Sequence, residues 1–405
     1  MRNDELKTRD KRFGFFIHHS SFCIHHFLSS FLFVVRILHL SSARALGGGE
    51  RHLADLANAL AMRGHDVHVA LAPHSPLRAE LSALPEENLV TIPLRNALDV
   101  PSAHALARVV RRREIEIVHA HMARDYPLAS YATRRSTLPR LVITRHVLFP
   151  LSRLHTWTLS HVARIIAVSR AVARTLEAQR IFPSQKISII PNGIDTARFE
   201  VAARSFDREA FRRSLGLGAG RVLVGTIGEL NRLKGHEEFL RAARLLAGRF
   251  PATDFIIAGE DRSRTGEHRA SVEKLIVQFG LQTRVHLTGW LDDVAPLLGA
   301  LDLFVSASRT ESFGLAMVEA MASGTPVVAT ATEGAREIVE DGASGLIVPI
   351  GDVEALAAAI ARMLEDPRER ARMGTRAGVA ARERFSLEQM VKATENLYRE
   401  ALAER

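Results

Sequence analysis

Residues 309–330 read RTESFGLAMVEAMASGTPVVAT and carry two glutamates, Glu311 and Glu319, eight positions apart. On one continuous helix that spacing would separate their Cα atoms by about 12 Å. Paired glycosidase carboxylates work at roughly 5 to 9.5 Å, so the spacing is a poor match for a two-carboxylate hydrolase. It suits two contacts at opposite ends of one extended ligand. Between the glutamates, Ser312, Phe313, Gly314 and Leu315 read as the first turn of a helix that follows the strand-like LDLFVSA. Free amides and the positive end of the helix dipole make that turn an anion site, and glycine at 314 lets a ligand approach the backbone closely. A pyrophosphate at the turn with hydroxyl-bearing groups at either end would use all three features. A nucleotide sugar has that shape.

Three more stretches have chemistry to offer. GELNRLKGHEEF (228–239) runs from a strand end through a loop into a helix, and its loop holds Arg232 and Lys234. Arginine would meet phosphate oxygens with a fork of donors and lysine as a point charge. LGGGERH (46–52) lies between the first strand and first helix, where Gly48 and Gly49 let loop amides face a phosphate or sugar. It is no dinucleotide fingerprint, since the third glycine of that pattern would fall at His52. His121 ends the strand-like EIVHAHM, where a functional group is expected, whereas His119 reads as a core residue and His146 as a weaker candidate. No metal motif is present: there is no Asp-x-Asp, no His-Glu-x-x-His and no cysteine cluster. No site is read in the pairs His18-His19 and His25-His26, which have no acidic residue near them and only the lone Cys23 between them. The expectation is therefore no metal and no cofactor, with any phosphate neutralised by side-chain cations and helix dipoles.

These groups need elements to hold them. From residue 34, apolar Val- and Ile-rich runs alternate with helical patterns: VVRILHL, then ERHLADLANALAMRG closed by Gly64, then DVHVALA, EIVHAHM, LVITRH, ARIIAVS and KISIIPNG. Such alternation argues for βαβ units around a parallel sheet. The rhythm restarts at RVLVGTIGEL after a polar stretch (195–220) that reads as a linker. The expected fold class is α/β, with two Rossmann-like domains facing across a cleft. The expected boundaries are a doubtful N-terminal extension at 1–33, a first Rossmann-like domain at 34–200 and a second at 201–385. Residues 386–405 should form a C-terminal helix that packs back on the first domain, and Pro367 and Ser386 read as helix starts. A start codon near Val34 or Val35 would remove the extension altogether. Ligands of doubly wound sheets bind outside the carboxyl ends of the strands, so the cleft is the expected site.

Bulk composition agrees with this organisation. At 405 residues the chain exceeds one hydrophobic core, and a single cysteine, Cys23, rules out an intrachain disulfide and points to a reducing compartment. Three tyrosines and two tryptophans argue against a base-stacking surface for nucleic acid. The net charge of +9, with Arg108, Arg111, Arg112, Arg113, Arg134, Arg135 and Arg140 in the first half, suits an anionic membrane surface or a phosphorylated ligand. Histidines and serines break the most apolar stretch (13–35), which is thus a poor membrane span. The expected location is cytoplasmic, peripheral on the inner face of the cell membrane.

Taken together, LGGGERH, His121, IIPNGID (189–195), the GEL…KG loop, the Glu-x7-Glu of ESFGLAMVE and GTPVVAT resemble the retaining GT-B glycosyltransferases of glycosyltransferase family 4, over about 34–385. The resemblance implies metal-independent transfer of a sugar, with retained anomeric configuration, from a UDP- or GDP-sugar to a lipid-linked or glycan acceptor. It implies that Glu319 holds the ribose hydroxyls and Glu311 the transferred sugar. Amides around Phe313, Gly314 and Leu315, with Lys234, would take the diphosphate. Gly48 and Gly49 would close over it, and His121 would meet the sugar near the reacting carbon. Two positions depart from the family pattern: Glu229 stands where an arginine is common, with Arg232 as a substitute, and Ala335 stands where a second glycine is common. A sugar-nucleotide epimerase or phosphorylase of the same fold, or a silent nucleotide-sugar-binding protein, are the competing readings.

Overall fold

Strands buried on both faces of a parallel sheet read as near-continuous apolar runs, and these runs become two such sheets. The computed structural model describes residues 33–404 except 136, 137, 153, 206 and 219. The extension up to residue 32, with its paired histidines and Cys23, lies outside the described residues. The first sheet contains β1 (Arg36–Ser41), β2 (Asp66–Leu71), β3 (Leu89–Thr91), β4 (Ile117–Ala120), β5 (Arg140–Arg145), β6 (Arg164–Ala167) and β7 (Ile187–Ile189). Its spatial order is β3-β2-β1-β4-β5-β6-β7, all pairs parallel. The second contains β8 (Val222–Ile227), β9 (Thr253–Ala258), β10 (Val285–Gly289), β11 (Leu303–Ser306), β12 (Val327–Thr330) and β13 (Gly345–Val348), ordered β10-β9-β8-β11-β12-β13. Both orders reverse direction beside the first strand of the sheet, which is where such folds open a crevice for ligand.

The polar stretch 195–220 is not a loose tether. It folds into helices Thr196–Ser205 and Arg208–Ser214, with Phe199 buried. Arg208 and Arg212 bond Asp302 at 2.6 and 2.7 Å, and Arg212 also donates to the Ala300 carbonyl. Polar composition suggested a linker because these arginines are spent on partners about 90 residues away.

Helix Pro367–Arg384 packs on the second half, and then the chain crosses back. Ile194 and Leu387 exchange backbone hydrogen bonds with Phe385 and Ile194, at 3.0 and 2.8 Å. Ser386 caps the last helix, Leu387–Ala403, whose Met390, Val391, Leu397, Tyr398 and Ala401 join the core formed by β1 and helix Gly48–Met62. Glu395 on that helix accepts from Arg63 at 2.7 Å and lies 3.0 Å from His65. The crossing leaves no room at Gly193, where a Cβ would lie 2.6 Å from the Ser386 carbonyl oxygen and 2.8 Å from Met390 Cβ. Gly193→Ala is expected to destabilise the protein by about 1–3 kcal/mol, the usual cost of overpacking. The checks are a lower melting temperature and faster proteolytic release of the final helix; an unchanged melt would contradict the tight crossing.

Candidate active site in the cleft

A cleft of about 380 Å³ separates the two halves, and its walls come from the carboxyl ends of β1, β5, β8, β9, β10 and β11. The turn after β11 is held open by geometry that needs glycine. Gly314 has φ +113°, and a Cβ there would sit 2.2 Å from Met317 Cε and 3.2 Å from Glu311 Cγ. Gly314 caps helix Leu315–Ala322 with no side-chain acceptor, which leaves its first amides to the cleft. Gly48 comes so close from the first half that a Cβ would lie 3.1 Å from Leu315 Cδ1. The glycine loop and the helix start thus face each other.

Lys234 and Glu311 meet in this space. Lys234 ends the short turn Arg232–Lys234, and its Nζ lies 2.7 Å from Glu311 Oε2, with both side chains mostly buried. Ser312 next to it donates to the His146 carbonyl across the cleft at 2.7 Å. Glu319 lies about one turn into the helix and lines the same cleft. Burial pushes its carboxyl up to about 7, with Arg51 and Arg198 pulling down and Asp55 and Asp293 pushing up. Asp55, on the opposing helix Gly48–Met62, is itself held up to about 6, chiefly by burial.

Of the residues expected from sequence, the fold brings Gly48, Gly49, Lys234, Glu311, Phe313, Gly314, Leu315 and Glu319 to the cleft wall. Two it places elsewhere. Arg232 is exposed and does not line the cleft, because the turn that aims Lys234 inward turns its neighbour outward. His121 is buried against His52 and His146, with ring centroids 5.8 and 5.9 Å away, and the imidazole at the wall is His146. Glu229 does line the cleft and is exposed. Sequence reasoning missed Arg262, Arg51 and Trp290. Arg262 follows β9, pairs with Glu260 at 3.1 Å, donates to the Leu46 carbonyl and lies 4.7 Å from the Trp290 ring centre. Arg51 approaches the same ring to 5.9 Å from the first half. The only sequence signal for Arg262 was its place just beyond a strand end.

Comparison with known proteins bears on the same residues. The Glycosyltransferase Family 4 description matches residues 46–198, and that of Glycosyl transferases group 1 matches residues 207–378. A lipopolysaccharide core biosynthesis mannosyltransferase of Rhizobium meliloti, LpsB, is 32% identical over 71% of this chain and 77% of its own length. The chain belongs to glycosyltransferase family 4. A second R. meliloti relative, the lipopolysaccharide core biosynthesis glycosyltransferase LpsE, is 28% identical over 86% of this chain and 94% of its own. Among solved structures, a glycosyltransferase of Rickettsia africae superposes with a TM-score of 0.82 at 22% identity, over 92% of this chain and all of that one. Anabaena HepE, solved in complex with UDP and glucose, gives 0.78 at 25% identity with the same coverage. The two sheets of this glycosyltransferase and the cleft between them are thus a GT-B arrangement.

Proposed function

We propose that this glycosyltransferase moves a sugar from a UDP- or GDP-sugar to a lipid-linked or glycan acceptor, with retained anomeric configuration, in envelope glycan synthesis. The observation that carries the reading is the Lys234–Glu311 pair set beside the uncapped helix start at Gly314, with Glu319 in the same cleft. The relatives named for lipopolysaccharide core synthesis and the UDP complex of HepE support the donor and acceptor class. Amides of the 313–315 turn and Lys234 take the diphosphate, Glu319 the ribose and Glu311 the sugar. Arg262, which lines the cleft where Arg232 does not, supplies a guanidinium to the second-half wall. His146, backed by His121, faces the sugar from the first half. The exposed arginines Arg108, Arg111, Arg134 and Arg135 would rest on an anionic membrane surface; no described helix is long and apolar enough to cross a membrane.

The mechanism follows from where charge develops. As the sugar–phosphate bond breaks, negative charge grows on the diphosphate and positive charge on the ring. Preorganised amides and cations at the phosphate lower that barrier most, so no bound metal is needed for the leaving group. The acceptor attacks from the leaving-group face, and closure of the halves excludes water and so disfavours hydrolysis.

A panel of uridine and guanosine diphosphate sugars, assayed with excess chelator and an acceptor extract, tests this. Release of nucleoside diphosphate from one donor with an α- or β-linkage matching that donor is the expected result. Donor binding without any turnover would identify a silent binding protein instead, and a glycosyl adduct trapped on a side chain would overturn the front-face step.

A further inference from the structure

Five histidines from four elements converge in the first half, and half of their ring nitrogens are buried without a partner. His39 (β1) and His119 (β4) are register neighbours, His121 follows β4, His146 follows β5, and His52 comes from helix Gly48–Met62. His39, His52, His119 and His121 are buried, and His146 is half-buried. His119 is fully committed: its Nδ1 meets the Tyr398 hydroxyl and its Nε2 the Thr144 hydroxyl, both at 2.7 Å. His39 Nδ1 and His121 Nε2 satisfy each other at 3.0 Å. What remains unpartnered and buried is His121 Nδ1, both nitrogens of His52, His146 Nε2 and His39 Nε2. Buried polar atoms without partners are rare and each costs about 1–3 kcal/mol, so four histidines left this way in one place call for an explanation.

Two trios bring one nitrogen each to within 4.8 Å: His39 with His119 and His121, and His52 with His121 and His146. The hydrogen bonds decide between them. The first trio contains His119, which has no nitrogen to give. In the second, every member has one. We propose that His52, His121 and His146 hold a divalent transition-metal ion of the zinc class at the first-half wall of the cleft.

An all-imidazole set favours zinc, cobalt, nickel or copper over magnesium or calcium, which want oxygen. Metal-bound histidines ordinarily anchor their other nitrogen in a second layer of hydrogen bonds, and His39 does this for His121. The ligands must be neutral to bind, and His52 and His121 lie buried, away from bulk water, with His146 half-buried at the wall. Around a tetrahedral zinc the nitrogens stand about 3.4 Å apart, so modest ring rotations close the site. A three-histidine site leaves a fourth position open, and His146 places the ion beside the cleft. No sequence motif announced it, because each ligand comes from a different element. The ion has no part in neutralising the diphosphate, for which the groups lie on the second half.

The test reads metal directly and needs no donor, so it stands apart from the reading of the cleft. Titration of the untagged, full-length, chelator-stripped protein with Zn²⁺ should show one saturable site per chain, and Co²⁺ should give a ligand-field absorption band typical of low coordination. His52→Ala and His146→Gln should each weaken Zn²⁺ binding by more than the roughly 10- to 100-fold that loss of an outer-layer partner causes. Absence of saturable binding in the wild type overturns the proposal. So does binding that survives both substitutions, which would assign the ion to the paired histidines His18, His19, His25 and His26. Should His52→Ala fail to fold by circular dichroism, His146→Gln at the half-buried member decides alone.

Discussion

Glu319→Gln is expected to weaken donor binding by about 10- to 100-fold while making the empty protein more stable. The first effect follows from losing charge-assisted hydrogen bonds to ribose hydroxyls, worth about 1.5–3 kcal/mol. The second follows from burial. The Glu319 carboxyl is held up from 4.5 to about 7 in the folded protein. A group whose folded value is raised binds its proton more tightly when folded, so stability declines as pH climbs from about 4.5 to 7. Above pH 7 the full deficit is present, at most roughly 3 kcal/mol at 1.36 kcal/mol per pH unit. Glutamine removes it. The melting temperature of the variant should therefore exceed the wild type's by a few degrees at pH 8 and match it near pH 4. Wild-type donor affinity should also improve as pH rises through about 7, where Glu319 ionises, and the variant should lack that dependence. A variant with wild-type affinity and an unshifted melt at pH 8 would remove Glu319 from the donor site. Stability given up for a poised carboxylate is a common trade at working sites.

Lys234→Met should cost turnover more than binding. A cation aimed at the charge that develops on the leaving diphosphate is worth roughly 10²- to 10³-fold in rate, by analogy with deletion of one oxyanion donor. Here the loss is compounded. Lys234 Nζ lies 2.7 Å from Glu311 Oε2, and the Glu311 side chain is only 16% exposed. Without the lysine, that carboxylate stands uncompensated beside the phosphates. The double variant Lys234→Met/Glu311→Gln separates the two causes. If Lys234 acts on the diphosphate, the double variant stays as slow as the single one. Recovery of most of the wild-type rate in the double variant would show that the lysine merely masks Glu311. Steady-state kcat and donor KM, measured for the wild type and both variants, supply the comparison.

Most of the fold was legible because it is written in local periodicity. Runs such as VVRILHL and LDLFVSA alternate with helical stretches at the spacing of βαβ units, and a parallel sheet buried on both faces demands that pattern. The strand-end positions of Gly48, Lys234, Glu311 and Gly314 followed from the same rhythm. What misled was composition read without partners. The stretch 195–220 looked like a linker because its arginines and acids are polar, yet Arg208 and Arg212 find Asp302 in the fold. Arg232 and His121 were nominated for being near a strand end, which says nothing about the direction of the side chain.

The sequence by itself determined the two-sheet α/β architecture, the family, the glycine-dependent turn at 314 and the Glu-x7-Glu frame, since each is a matter of residues close together in the chain. Tertiary structure alone decided which groups meet. Lys234 pairs with Glu311 across 77 residues, Arg262 reaches the Leu46 carbonyl across 216, and His52, His121 and His146 converge from three elements. Contacts of that range depend on sheet order and on how the halves close, and neither is encoded in the spacing of any one motif.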